Sequence, residues 1–177
     1  MKARILWVTR TAVFIALLIV LQYVTVPLGN TLVTGAVVNL ILIVAVMTCG
    51  IWSGLTVALT SPLLAFFFGI GAVFFPVVPF VMAGNAILVT LWHHIGRLNI
   101  KGWLIPHMMA LAAAAGAKCL WLYFGIVRFA VPVLDFPKAL VAAFGVSQLI
   151  TACTGGALAI FVLPVLRKAV FRQTRTD

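Results

Sequence analysis

Residues 31–48 read TLVTGAVVNLILIVAVMT, a run with no charged side chain and one strongly polar one, Asn39. A helix crossing the hydrocarbon core of a bilayer takes about 20 apolar residues. It also satisfies its own backbone hydrogen bonds, which lipid cannot do for it. The run therefore predicts a transmembrane helix. Five more stretches fit the same template, at 7–26, 52–70, 76–95, 104–127 and 138–166. Turn-forming residues separate them: Pro27, Gly29 and Asn30, then Gly50, then Gly69 and Gly71, then the polar loop 96–102. Residues 128–137 make the longest loop, and Ser61-Pro62 is expected to kink the third helix. The expected fold is all-α and integral to the membrane, with residues 1–177 forming a single six-helix transmembrane domain.

Composition agrees. Hydrophobic residues make up 65% of the chain and charged residues 8%. A soluble domain needs roughly a quarter of its residues charged, so lipid must cover this one. The net charge of +10 does not point to a nucleic-acid partner, because the basic residues sit mainly at the chain ends and in one loop. Six spans place Lys2, Arg4, Arg10, Arg97, Lys101, Arg167, Lys168, Arg172 and Arg175 on one side. Only Arg128 and Lys138 fall on the other, and Lys118 is left inside the fifth helix. Lysine and arginine favour the cytoplasmic side, so both termini are expected there. Trp7, Trp52, Trp92 and Trp103 fall near the same ends of their helices. Lys2 and Arg4 before an apolar run imitate a secretory signal. That run is too long and no small-residue cleavage site follows, so it is read as a retained first helix.

Several chemistries are not expected. No GxxxxGK[ST] phosphate loop occurs. The only acidic residues are Asp135 and Asp177, neither in an expected membrane core. Paired acid–base catalysis and a self-sufficient proton-coupled pump both need carboxylates placed otherwise. No enzyme activity, cofactor or metal is expected. Cys49, Cys119 and Cys153 form no CxxC pair and read as small apolar packing residues. His93, His94 and His107 flank one short loop. They read either as interfacial histidines or as ligands of a haem or metal.

Polar groups inside the membrane are costly and mark function or helix–helix bonding. Counting along alternating helix directions places Gln22, Asn39, Asn85, Lys118 and Gln148 between the midplane and the outer surface, with Thr151 and Thr154 beside Gln148. A substrate pocket opening outward would have this distribution. Lys118 would meet a carboxylate or phosphate, and the amides can donate and accept. Phe66, Phe67, Phe68, Phe74, Phe75 and Phe80 surround the same end and face either a ligand or lipid. Ala12 and Ala16 lie on one face of the first helix, where small residues admit another backbone closely. The fifth helix has Ala112 to Ala115 with Gly116, and the sixth has Ala152, Gly155, Gly156 and Ala159.

The layout resembles the S components of energy-coupling factor (ECF) transporters. The likeness covers most of the chain: its length, its six spans and the motif Ala12-x-x-x-Ala16. It extends to the stretch from Pro76, Pro79 and Phe80 to Asn85, the segment around Lys118, and Ser147-Gln148 to Ala152 with Gly155-Gly156. The resemblance implies a prokaryotic plasma-membrane subunit that captures a vitamin or related micronutrient outside the cell. It implies a T component docked on Ala12 and Ala16, and two ABC-type ATPases that supply energy. It also implies that the loops near 27–30, 69–75 and 128–137 close over the ligand. No thiamine, riboflavin or biotin pattern is evident. Two other readings stay open, a membrane haem or quinone protein and a structural subunit that binds nothing.

Overall fold

The computed structural model describes residues 2–70, 74–100, 102–135 and 139–173. Lys101, Lys138, Arg175 and Asp177, and parts of the loops expected at 69–75 and 128–137, lie outside the described residues. Among the described residues the chain is helical, with no strand. The long elements are α1 (Lys2–Thr25), α2 (Thr31–Cys49), α3 (Ile51–Phe67), α4 (Val78–Ile95) and α5 (Leu104–Leu122). After them come α6 (Val131–Val133), α7 (Ala139–Phe144) and α8 (Val146–Gln173). Five stretches are long and apolar enough to cross a membrane, and α3, at 17 residues, is a shorter apolar helix. The chain is an all-helical, multi-pass membrane bundle.

Three helix boundaries differ from the sequence expectation. The helix expected over 52–70 ends at Phe67. Gly69 takes the left-handed conformation at φ 68°, Gly69 N–H donates to Phe66 O, and Ile70 N–H donates to Ala65 O. That glycine-centred pair of bonds satisfies the last carbonyls and stops the helix. Pro62 is accommodated inside it. The helix expected over 104–127 instead runs on from α5 through a π-helical stretch, Tyr123–Ala130, into α6. Arg128 is therefore helical rather than in a loop. Pro132 falls near the end of this continuous helical stretch, and Asp135 after it takes the left-handed conformation at φ 50°. The helix expected over 138–166 is two helices. The break falls at Gly145, where a Cβ would lie 2.7 Å from Val141 O.

Contacts between elements give the bundle direction. The Thr11 hydroxyl donates to Trp7 O at 2.8 Å and lies 2.7 Å from the Ser53 hydroxyl, which therefore donates to it. This joins the first half of α1 to the start of α3. Trp92 at the end of α4 lies 6.1 Å, ring to ring, from His107 at the start of α5. Arg97 reaches Val46 O and Met47 O at the end of α2, each at 3.5 Å. All these ends, with exposed Arg4, Arg10 and Arg97, share one side of the bundle. Replacing Ser53 with Ala removes one buried hydrogen bond. The expected cost is about 1 kcal/mol, read as a lower unfolding midpoint in detergent.

The main core fills this basic end, with Leu42, Ile43, Val46, Val57, Leu88, Trp92 and Leu163 fully or almost fully buried. A smaller apolar cluster of Val77, Leu122, Ile126 and Phe144 lies elsewhere, where α5 passes into its π-helical stretch. α2 is central, packing on α1, α3, α4 and α8. α1 is peripheral, packing mainly on α2 and α3.

Candidate functional site

α5 carries Ala112 to Ala115, Gly116 and Ala117 immediately before Lys118. Small side chains let α4 and α8 approach α5 closely. Lys118 is thereby enclosed, 3% exposed. Its Nζ donates to Asn39 Oδ1 on α2 at 2.6 Å and to Asn85 Oδ1 on α4 at 2.7 Å. A lysine ammonium only donates, so both amides must present their oxygens to it. Their nitrogens then face away as donors. Asn39 Nδ2 reaches Thr151 Oγ1 on α8 at 3.4 Å, and the Thr151 hydroxyl donates to Gln148 O at 3.0 Å. One polar chain therefore ties together α2, α4, α5 and α8.

Beside it lies a cavity of about 480 Å³. This is within the range of small-molecule sites, roughly 300–1,000 Å³. Gln22, Asn39, Asn85, Lys118 and Gln148, the five residues expected to share a pocket, all line it. It sits toward the end of the bundle opposite Arg97, since Gly29 and Asn30 of the α1–α2 turn and Gly69 and Ile70 after α3 form part of its rim.

Each polar wall residue has a distinct state. Gln148 Nε2 donates to Ala143 O at 3.1 Å, bracing the break between α7 and α8. Gln22 Oε1 and Ser61 Oγ are enclosed and have no hydrogen-bond partner among the described residues. Ser61 is 1% exposed and was not expected at the site. Its position before Pro62 reads as a kink signal and says nothing about facing a cavity. Thr154, expected near Gln148, is exposed. The remaining walls are largely apolar, including Val38, Phe74, Val81, Leu140 and Phe144.

Of the expected aromatics, Phe74 lines the cavity, whereas Phe67, Phe68 and Phe75 are exposed and pack around Phe66 or face outward. Phe80 lies against Trp121 and under Gly125. Two of the three loops expected to cover a ligand contribute to the rim. In place of residues 128–135, the wall comes from α7 through Leu140, Ala143 and Phe144. The chain is still helical at Arg128.

The histidines lie at the basic end. His107 is buried rather than interfacial, its ring stacked 3.8 Å from Trp103 and its Nδ1 2.7 Å from Trp103 O. His93 and His94 sit ring edge to ring face at 5.2 Å. Among the described residues no three His, Cys, Asp or Glu side chains converge as a metal site. The Ala12 and Ala16 positions on α1 are exposed.

No family model, curated protein or solved structure matches the chain.

Proposed function

We propose that this chain is the substrate-binding S component of an ECF-type ATP-driven importer in a prokaryotic plasma membrane. It captures a vitamin-like micronutrient from outside and passes it through a T component powered by two ABC-type ATPases. One observation carries the reading: a ligand-sized cavity at one end of the bundle gathers Gln22, Asn39, Asn85, Lys118 and Gln148 from five helices. The exposed arginines on the opposite end support a cytoplasmic placement for that end and for both termini. The cavity then opens to the outside.

The peripheral position of α1 supports a docking role. Among the described residues Ala12 and Ala16 are exposed, and that face offers small residues to a neighbour in the membrane. Ala12→Trp and Ala16→Trp are expected to cut uptake by the reconstituted four-subunit complex at least about tenfold while ligand binding by the isolated chain is unchanged. Lost binding in those variants, or undiminished uptake, would remove the docking role. The isolated chain in liposomes is expected to bind substrate without transporting it.

A further inference from the structure

The Lys118 ammonium is enclosed with two neutral amide oxygens as its protein partners. An ammonium carries three N–H donors. Two are engaged and the third remains available toward the cavity that Lys118 lines. Among the described residues no acidic side chain lines that cavity. Asp135 is exposed in the turn beyond α6. An enclosed charge without a counter-charge is strongly unfavourable, so an occupant that brings one negative charge completes the site.

Several other features narrow the class. Among the described residues Lys118 is the one cationic side chain in the lining. A phosphate monoester carries about 1.5 to 2 negative charges near neutrality and would bring in more charge than one ammonium offsets. A zwitterion would bring a second ammonium to described walls that hold no carboxylate, only the unpartnered Gln22 Oε1, to receive it. The donors converging on the cavity suit an acceptor-only group. They are the third Lys118 N–H, the outward amide nitrogen of Asn85 and the hydroxyl of Ser61, which has no partner among the described residues. The apolar lining residues Val38, Phe74, Val81, Leu140 and Phe144 have no side-chain polar atoms.

We infer that the occupant is a small organic monocarboxylate with a largely apolar body, its carboxylate set against Lys118 and its body against Phe74, Val81 and Phe144. This rests on the reading of the cavity as a binding site and goes further by fixing the ligand's charge and shape.

The test uses the purified full chain in nanodiscs and matched probes: pentanoate to octanoate, 4-phenylbutyrate and indole-3-butyrate, their primary amides, and monophosphates of the corresponding alcohols. Binding is followed by calorimetry. At least one acid is expected to bind about 50-fold more tightly than its own amide, the size of a charge-assisted hydrogen bond in an enclosed site. In Lys118→Met the acid is expected to weaken to the level of the amide. The acid–amide comparison within the unaltered protein stands even if that variant folds poorly. Amides or phosphates binding as well as the acids would overturn the monocarboxylate class and leave the cavity as a binding site. No binding in any of the three series would overturn both.

Discussion

Asn85→Leu is expected to destabilise the bundle by about 2–3 kcal/mol and to abolish ligand retention. The Lys118 Nζ–Asn85 Oδ1 bond, 2.7 Å long, is one of two that hold the ammonium away from water. Leucine fills similar space and removes the acceptor, so the charge loses half its protein solvation. A group left buried without its partner costs more than the bond itself was worth. The second variant in the cycle is Lys118→Met, and the third is the double change. The double variant is expected to regain much of the stability lost in Asn85→Leu, because no charge remains to be solvated. It is not expected to regain binding. The measurements are unfolding midpoints in detergent and ligand affinity across all four proteins. Equal stability losses that simply add would show that the ammonium and the amide do not depend on each other.

Gly155→Ala carries the other large effect. A Cβ at that position would lie 2.5 Å from Ala36 O, 2.8 Å from Asn39 Cβ and 2.9 Å from Leu40 N. Two of these three atoms belong to the α2 backbone, so no rotamer change relieves the contact. α8 must move away from α2, at an expected cost of about 3 kcal/mol. Asn39 sits at the point of contact and holds both Lys118 and Thr151. The displacement therefore reaches the cavity, and binding is expected to fall along with the midpoint. Gly116→Ala on α5 is the control. Among the described residues no atom outside its own helical turn lies within 4 Å of its added carbon, and alanine favours a helix by about 1 kcal/mol. That variant is expected to be neutral or slightly stabilising. Comparable losses in both would show that glycine loss in general, rather than the α2–α8 approach, sets the effect.

That these polar residues share one level of the bundle was legible because a helix rises by a fixed amount per residue and neighbouring spans alternate in direction. Those two facts suffice to bring Gln22, Asn39, Asn85, Lys118 and Gln148 to one level. Ser61 was missed because a serine before proline looks the same whether it faces a cavity or a neighbouring helix. The α7 wall was missed because residues 138–166 read as continuous apolar helix. The break at Gly145 depends on how α7 packs against the π-helical stretch Tyr123–Ala130. His107 looked interfacial by position, and its burial comes from Trp92 and Trp103 closing over it.

Residues 31–48 were enough to show that α2 is a lipid-compatible helix with Asn39 near its centre, since length and polarity are local properties. The sequence alone likewise determined the helical, membrane-embedded character of the chain and the crowding of basic charge toward its ends. Only the tertiary structure decided what Asn39 does. Its oxygen accepts from Lys118, 79 residues away, because Gly155 lets α8 press α2 into place and the small residues of α5 leave room for the lysine. Hydrogen bonding at that range depends on which helix faces meet. Packing of small side chains sets this, and the polar residues then satisfy one another within it.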